Sequence, residues 1–445
     1  MLRTRTAIKY LREWRTRVTR LPLLIRGARQ VGKSSLVRLF GREFDHFVEL
    51  NLERAPDRAL FDRRTTARQL LEGLAFRRGL DLGGGGVLLF VDEIQEAPEA
   101  IALLRFLHED YPEVRVIAAG SLLEFALRDV PSFPVGRVEF YQLHPLSFGE
   151  YLEWMGPERY REALWSVPAP EYAHEELLRQ FHRYALIGGM PRIVGALADG
   201  AATAEVRPLY ASIWETYRAD AERYARSRAE AQVLRHLMYH APLADDRVKF
   251  ARFGESDYGS REVGEAFRAL HLANVLRLIY PTTALALPLT PNHRRSPRIQ
   301  LLDTGLLCHA RGVGPERYDI DDLGTLFRGR IAQHAVTQEI IAQRHEPGFV
   351  PLFWVREQSG SSAEVDLLLQ HRLSVVPVEV KSGPSGRLRS LHSFVDRSGV
   401  PLAVRTLRNR ASVEDLETPA GTPYRLLNVP YYAVGDLGNY IAAFR

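Results

Sequence analysis

The chain has 445 residues, 46% of them hydrophobic, and a formal net charge of +5, a composition that excludes a disordered protein and predicts about two to four folded domains. A charged N-terminus in place of a signal peptide, and apolar runs shorter than the roughly 18 residues of a membrane span, predict a cytoplasmic protein with no membrane partner. The single cysteine, Cys308, excludes an internal disulfide and a cysteine-based metal cluster.

The basic residues are nearly all arginine. Lysine occurs only at Lys9, Lys33, Lys249 and Lys381. Because arginine cannot replace a compact, titratable ammonium group, a lysine in such a chain is a candidate for chemistry. The mild positive charge also permits contact with nucleic acid without requiring it.

The first predicted element is a basic amphipathic helix between Arg3 and Arg20, with Ile8, Leu11 and Val18 among its charged residues. We interpret it as a solvated helix packed beside the segment that follows. Contact with an anionic partner is the alternative.

An apolar strand from Leu21 then leads through a glycine-bounded loop into a helix. The loop follows the pattern Gly-x-x-x-x-Gly-Lys-[Ser/Thr] and comprises Gly27, Ala28, Arg29, Gln30, Val31, Gly32, Lys33, Ser34 and Ser35. In this pattern backbone N–H groups and the helix N-terminus converge on phosphates, the lysine reaches the outer phosphates, and the serine hydroxyl holds Mg²⁺. The loop therefore predicts nucleotide binding; a simple glycine-rich turn is the alternative.

The next buried strand begins at Val87 and ends in Asp92 and Glu93. Parallel strands deliver such side chains to the C-terminal edge of the sheet. Asp92 is predicted to hold the magnesium shell, and Glu93 to polarise the attacking water. The alternative for both acids is simple capping of a helix N-terminus.

Two further residues are predicted to act at the same edge. Ser121 follows the strand that starts at Arg115 and is placed to sense the terminal phosphate. Arg137 stands at the start of a fifth strand, where it would neutralise charge on the transferred phosphoryl group, in cis or in trans. An ordinary surface or salt-bridged arginine is the alternative for Arg137.

Together these motifs resemble a prokaryotic family of AAA-type P-loop ATPases with a C-terminal domain of formerly unknown function. The resemblance spans nearly the whole chain and rests on Gly27–Ser34, Val91–Gln95, Ala119–Ser121, Gly136–Arg137, Leu143–Phe148, Leu186–Pro191, Leu302–Leu306, Glu364–Asp366 and Glu379–Lys381. It implies an AAA-type α/β ATPase fold, ATP and magnesium as cofactors, and a C-terminal part similar to restriction-type nucleases.

We therefore predict an α/β protein with four parts. These are an AAA-type P-loop ATPase domain at 1–155, a helical lid at 156–228, a winged-helix domain at 229–302 and a restriction-endonuclease-like α/β domain at 303–445. The winged helix is predicted from a helix beginning at Ser260, followed by strand-like segments at Val275–Tyr280 and Arg298–Leu302. The basic loop His293–Arg295 would touch DNA phosphates; a protein-binding module is the alternative.

A second constellation lies in a predicted hairpin of Glu364–Leu369 and Val375–Lys381. Because side chains alternate across a strand, Glu379 and Lys381 share a face that Asp366 on the neighbouring strand can meet. Magnesium-dependent phosphodiester cleavage uses this set, in which Asp366 and Glu379 hold the metal and Lys381 orients water. The pattern resembles the Asp…Glu-x-Lys signature of restriction-type nucleases, and a charged hairpin with a salt-bridged lysine is the alternative.

Two residues complicate this prediction. Pro377 lacks a backbone donor and favours an edge or bulged position for its strand. Relatives in the family usually place a glutamate four residues after Gly329, where this chain has Gln333. Glu339 lies about a third of a turn away around the helix and cannot replace it.

The leading hypothesis is a cytoplasmic enzyme that hydrolyses ATP with Mg²⁺ to drive conformational change in a winged-helix and nuclease-like region acting on DNA. The alternative is a nucleotide-dependent switch that binds a protein partner, with an inactive nuclease-like scaffold. Either hypothesis is compatible with a homo-oligomer.

Overall fold

The computed structural model describes residues 2–62, 64–82, 86–121, 123, 136–223, 225–244, 246–313, 329–356, 363–381 and 388–444. Internal contacts divide the chain into two compact units. The first contains Met1–His144 with the short segments Leu272–Asn274 and Arg344–Gly348, and the second contains Pro145–His271, Val275–Gln343 and Phe349–Arg445. The finer division into four domains remains a prediction.

The described part of the first unit contains one parallel sheet. Its strands are β1 (Leu23–Arg26), β2 (His46–Asn51), β3 (Val87–Asp92), β4 (Arg115–Gly120) and β5 (Glu139–Gln142). They pair in parallel in the order β2-β3-β4-β1-β5. Every residue of β3 is buried, as expected of a parallel strand covered on both faces. Because β4 lies between β1 and β3, the C-terminal ends of these three strands meet at one edge.

The described helices of the first unit are α1 (Ala7–Thr16), α2 (Lys33–Gly41), α3 (Ala55–Arg58), α4 (Ala67–Arg78) and α5 (Pro98–Asp110). α4 and α5 pack on the sheet, where Leu71 and Leu104 join Leu89 and Ala118 in one buried apolar cluster. Burial of this apolar cluster stabilises the unit.

The basic helix predicted near the N-terminus is α1. Its apolar face is buried through Ile8, Leu11 and Trp14. On its outer side, Arg12 pairs with Glu43 at 2.7 Å. These contacts support the interpretation of a solvated helix packed on its own unit.

The second unit begins with a helical region. Its helices are α6 (Phe148–Met155), α7 (Glu158–Trp165), α8 (His174–Ile187), α9 (Pro191–Ala198), α10 (Arg207–Arg223), α11 (Arg228–His240) and α12 (Ser260–Leu272). A capping box in which Ser147 and Glu150 bond each other's backbone N–H starts α6. Phe148, Phe181 and Tyr184 are fully buried and their rings are in contact.

The strand-like segments predicted after α12 are paired. β6 (Leu276–Ile279) lies antiparallel to β8 (Arg298–Leu301), and the short β7 (Pro281–Thr282) joins a different sheet. The helices and hairpin expected of a winged helix are therefore present, while the assignment to that fold remains a prediction. Among the described residues, no helix is both long and apolar enough to cross a bilayer.

The C-terminal region is built on a second sheet. Its further helices are α13 (Thr304–Ala310), α14 (Arg330–Ala342), α15 (Arg389–Ser398) and α16 (Leu437–Ala443), and its further strands are β9 (Leu352–Val355), β10 (Glu364–His371), β11 (Ser374–Val380), β12 (Leu402–Leu407), β13 (Ser412–Glu417) and β14 (Pro423–Pro430). The described strands form a mixed sheet in the order β13-β14-β12-β11-β10-β9-β7. The predicted hairpin is β10 and β11, which pair antiparallel.

The prediction that Pro377 marks an edge or a bulge is wrong, because β11 lies inside the sheet between β10 and β12. Pro377 stands opposite Leu368 in the β10–β11 ladder. Pairing with β12 starts only at Val378, so the missing N–H of Pro377 falls just before that ladder begins. The register shift in this part of the sheet lies instead in β10, between Val365 and Leu368.

A buried polar network connects several segments of the second unit. The Glu339 carboxylate of α14 accepts hydrogen bonds from Phe148 N at 2.9 Å and from the Tyr184 hydroxyl at 2.6 Å. Asp303 accepts a bond from Gly189 N at 2.6 Å. Burial raises the pKa of Glu339 to about 7 and that of Asp303 to about 6. Three of the segments that resemble the family, those that contain Phe148, Gly189 and Asp303, therefore take part in this network.

Candidate functional site

The phosphate-binding loop connects β1 to α2, and its two glycines each meet a geometric requirement. A Cβ on Gly27 would lie 2.3 Å from the Leu143 carbonyl oxygen, so a side chain there is excluded. Gly32 has φ of 95°, a left-handed conformation that glycine adopts without strain. α2 begins directly afterwards at Lys33, and the free N–H groups of its first turn form an anion-binding end.

Lys33 lies inside this loop. It is buried, and its Nζ donates to the carbonyl oxygens of Gly27 and Ala28, both at 2.9 Å. Burial lowers the pKa of the ammonium to about 8, and the carboxylates of Glu93 and Asp92 partly oppose that shift. A positive charge is therefore held within the loop and close to both acids.

Ser34 and Asp92 lie side by side. A hydrogen bond from Ser34 and the charge of Lys33 oppose the effect of burial, which raises the pKa of the Asp92 carboxyl. A hydroxyl and a carboxylate oxygen in contact are hard ligands of the kind that Mg²⁺ takes. No group of three or more His, Cys, Asp or Glu side chains able to hold a metal exists in the described ranges. A Mg²⁺ ion held by this pair would take its other ligands from phosphate and water oxygens, as is usual in phosphoryl-transfer sites.

Glu93 is held in an unusual conformation. Its backbone has φ of 52° and ψ of 47°, and it precedes a 3₁₀ turn at Ile94–Glu96 without forming a side-chain capping bond. Its Oε2 accepts a hydrogen bond from the Gln95 amide at 2.7 Å. The capping alternative therefore does not describe the Glu93 side chain.

Ser121 follows β4 at the same sheet edge and is buried. Within the described part of the chain, its hydroxyl oxygen has no hydrogen-bond partner. Since β4 lies between β1 and β3, Ser121 is delivered between the phosphate-binding loop and the acids. A buried, unsatisfied hydroxyl is costly and suits a position that meets a ligand.

Arg137 forms an ion pair with Glu109 of α5 at 3.4 Å, and its side chain is 49% exposed. This contact fits the salt-bridged alternative within one chain. Action in trans remains a prediction.

Two residues near the site were not predicted from the sequence. Arg5 is buried and donates to the carbonyl oxygens of Val31 and His144, both at 2.9 Å, which braces the loop. It is one of several arginines near the N-terminus, and nothing in the local pattern distinguishes it. Gln95 lies within the Val91–Gln95 motif, and its spacing of two from Glu93 is a signal that could have been used.

The predicted C-terminal residues are also brought together. Leu367 pairs with Val378 in the hairpin, so Asp366 and Glu379 are the next residues along the two strands. Asp366 Oδ2 accepts a bond from Val380 N at 2.9 Å, and Asp366 Oδ1 accepts one from Gln333 Nε2 at 3.1 Å. Lys381 Nζ lies 2.5 Å from Glu379 Oε1. Burial, and then the charge of Asp366, raise the pKa of Glu379 to about 7.

A buried arginine adds to this cluster. Arg298, the first residue of β8, donates to the Asp366 carbonyl oxygen at 3.1 Å, and its guanidinium lies 3.5 Å from Asp366 Oδ1. It also pairs with Glu364. Sequence reasoning missed Arg298 because it lies 68 positions from Asp366 in a separate predicted strand.

Comparison with family models divides the chain into three matched regions. Residues 19–152 match a model described as an AAA domain. Residues 178–317 and 328–415 match two models described as domains of unknown function, DUF8612 and DUF4143. The first region contains the phosphate-binding loop, Asp92, Glu93, Ser121 and Arg137. The chain therefore contains an AAA-type P-loop ATPase domain.

Solved structures give weaker similarities. A Walker-type ATPase of Pyrococcus abyssi has a TM-score of 0.45 at 16% identity, covering 70% of this chain and 96% of that one. The Thermotoga maritima RuvB Holliday junction branch migration motor has a TM-score of 0.28 at 15% identity, covering 65% and 93%. The Aeropyrum pernix ORC1 protein in complex with DNA has a TM-score of 0.27 at 14% identity, covering 72% and 92%. No curated protein matches the chain, so the assignment of the ATPase domain rests on the family model and the motifs.

Proposed function

We propose that this protein is a cytoplasmic ATPase that binds ATP with Mg²⁺ and hydrolyses it. The observation that carries the proposal is the convergence of Lys33, the Ser34–Asp92 pair, Glu93 and Ser121 at one edge of the first sheet. A loop that only binds nucleotide needs neither Glu93 nor Ser121.

Each residue then has a defined task. The loop N–H groups and the Lys33 ammonium attract the outer phosphates, and Ser34 with Asp92 would hold Mg²⁺. When bound, the metal neutralises charge that develops on the phosphates. Glu93 orients and polarises the attacking water, and the Ser121 hydroxyl makes a polar contact with the terminal phosphate.

The direct test is phosphate release from ATP by the full chain, measured with Mg²⁺, with EDTA, and with or without duplex DNA. We expect magnesium-dependent turnover. Stimulation by DNA would support the part of the hypothesis in which the exposed His293 and Arg294 contact phosphates. Absence of turnover under all of these conditions would contradict hydrolysis.

The C-terminal cluster favours a second candidate function. Its arrangement of Asp366, Glu379 and Lys381 supports a nuclease-like origin. However, Gln333 and Arg298 already engage the Asp366 carboxylate, and an internal arginine supplies the positive charge that a metal would bring. We therefore propose as the alternative a nucleotide-dependent switch for a protein partner, in which this region is an inactive scaffold.

Replacing Arg298 with glutamine should test whether its charge keeps a metal ion out of this nuclease-like cluster. The Arg298 guanidinium lies 3.5 Å from Asp366 Oδ1. At an effective dielectric of about 20, unit charges this close interact by a few kcal/mol. Removing the Arg298 charge should therefore strengthen Mn²⁺ binding at Asp366 by about tenfold or more. Calorimetric titration of wild type, Arg298→Gln and Arg298→Gln/Asp366→Asn would measure this. The matched control is Arg294→Gln, because Arg294 is exposed.

DNA degradation completes the comparison. The scaffold proposal expects wild type and Asp366→Ala to leave DNA equally intact with Mg²⁺ and ATP. Cleavage by wild type that Asp366→Ala abolishes would instead establish an active nuclease site. Mn²⁺ binding to wild type as tight as to Arg298→Gln would contradict the role given to Arg298.

A further inference from the structure

Gln95 connects the acidic end of β3 to the end of β4. On one side its Nε2 donates to Glu93 Oε2 at 2.7 Å. On the other side its Oε1 is packed against the backbone of Gly120 so closely that a Cβ there would lie 2.6 Å away. One amide side chain therefore spans from Glu93 to the residue before Ser121.

We propose that Gln95 is the positioning residue that sets the orientation of the Glu93 carboxylate for hydrolysis. This inference rests on the proposed ATPase function. A hydrogen bond to Oε2 fixes the plane of the carboxylate and leaves the other oxygen available to a water molecule. Such a constraint matters because a misplacement of about 1 Å can reduce a rate by on the order of a hundredfold.

The backbone and the side-chain end of Glu93 are restrained by different bonds. Its φ of 52° and ψ of 47° are sparsely populated by non-glycine residues, which persist there only when the surroundings enforce them. The Glu93 N–H bonds locally to Asp92 Oδ1 at 3.1 Å, which fixes the backbone but not the end of the side chain. The Gln95 amide supplies that second restraint.

Two unsatisfied atoms mark the other side of Gln95. The Oε1 of Gln95 and the hydroxyl of Ser121 are both buried, and neither has a hydrogen-bond partner within the ranges that the structure describes. Because Gly120 precedes Ser121 directly, the Gln95 amide packs against the residue next to Ser121. A movement of Ser121 on contact with a terminal phosphate would therefore also move the Gln95 amide that hydrogen-bonds Glu93.

Gly120 provides a way to displace Gln95 without altering it. Its φ lies outside the left-handed region, so alanine is accepted by the backbone, and the nearest obstacle is the movable end of the Gln95 side chain. Gly120→Ala should therefore push the amide away from Glu93. Gln95→Ala and the isosteric Gln95→Glu remove the donor directly, and the glutamate also places a second carboxylate beside Glu93.

The test is steady-state hydrolysis of MgATP, with nucleotide binding measured separately by a fluorescent ATP analogue. We expect Gln95→Ala, Gln95→Glu and Gly120→Ala each to lower kcat by about 10- to 100-fold, with KM and analogue binding within about twofold of wild type. Wild-type kcat in both Gln95 variants, or a loss of nucleotide binding with kcat retained, would overturn the proposal.

A double-mutant cycle excludes a merely structural role, because groups that act as a unit are strongly non-additive. If Gln95 works through Glu93, then Glu93→Gln/Gln95→Ala should be no slower than Glu93→Gln alone. A further 10-fold loss in the double variant would contradict positioning through Glu93. Failure of the proposed function itself would look different, since wild type would then not hydrolyse ATP or Glu93→Gln would hydrolyse it at the wild-type rate.

Discussion

Replacing Lys33 with alanine is expected to lower ATP hydrolysis by at least roughly 10²- to 10³-fold, the loss found when one preorganised charge-stabilising group is removed from an active site. Lys33 is buried, and the carbonyl oxygens of Gly27 and Ala28 hold its ammonium within the loop. Alanine leaves the glycine-bounded backbone able to form but removes the positive charge. Phosphate release and binding of a fluorescent ATP analogue would measure the two effects separately.

The chain offers a matched control for this change. Lys9 is exposed on α1, so Lys9→Ala removes the same charge and leaves hydrolysis unchanged. Lys33→Arg should also fail, because a planar guanidinium cannot take the place of the compact ammonium between two carbonyl oxygens. Hydrolysis by Lys33→Ala at the wild-type rate would contradict the assignment of the loop.

Replacing Glu339 with glutamine is expected to stabilise the protein at pH 8 and to have little effect at pH 5. Burial raises the pKa of this carboxyl from 4.5 to about 7, with Glu150 adding to the rise and the bonds from Tyr184 and Phe148 N opposing it. A raised pKa in the folded state means that the protonated form is favoured. The stabilisation provided by protonated Glu339 is therefore complete below pH 4.5 and is lost as the pH rises through about 7.

The expected change in the free energy of unfolding follows from the pKa shift of Glu339. At 1.36 kcal/mol for each unit, ionised Glu339 lowers the free energy of unfolding by up to about 3 kcal/mol at pH 8. Glutamine stays neutral and can still accept the bond from Phe148 N, so the difference between variant and wild type should grow between pH 5 and pH 8.

Urea midpoints of wild type and Glu339→Gln at the two pH values would measure the difference. Glu346→Gln is the matched control, because Glu346 is exposed. A variant that is less stable than wild type by the same amount at both pH values would show instead that Glu339 acts as an ordinary hydrogen-bond partner.

The ATPase motifs could be predicted because each depends on neighbouring residues. The positions of Gly27 and Gly32 determine where the backbone turns, and Lys33 opens the helix that follows. A buried apolar strand ending in Asp92 and Glu93 delivers both acids to the sheet edge. Local spacing therefore predicted the order of these elements along the chain and the chemistry of their ends.

The C-terminal region shows the limit of this reasoning. The sequence correctly brought Asp366, Glu379 and Lys381 to one hairpin, since alternation along two short strands determines their faces. It could not show that Pro377 lies inside the sheet, because that depends on where the β12 ladder begins. Nor could it show that Arg298 reaches Asp366, because an ion pair between distant segments leaves no periodic pattern.

By itself, the sequence determined that this protein carries a nucleotide-binding loop with its two acids, because these features arise within a few consecutive residues. Only the tertiary structure decided that β4 lies between β1 and β3, so that Ser121 follows the strand between the loop and the acids and Gln95 spans from Glu93 to Gly120. Strand order is set by packing between segments far apart in the chain. Glu93 and Gln95 are close neighbours in one local motif, but Gln95 contacts Gly120 only because of that packing.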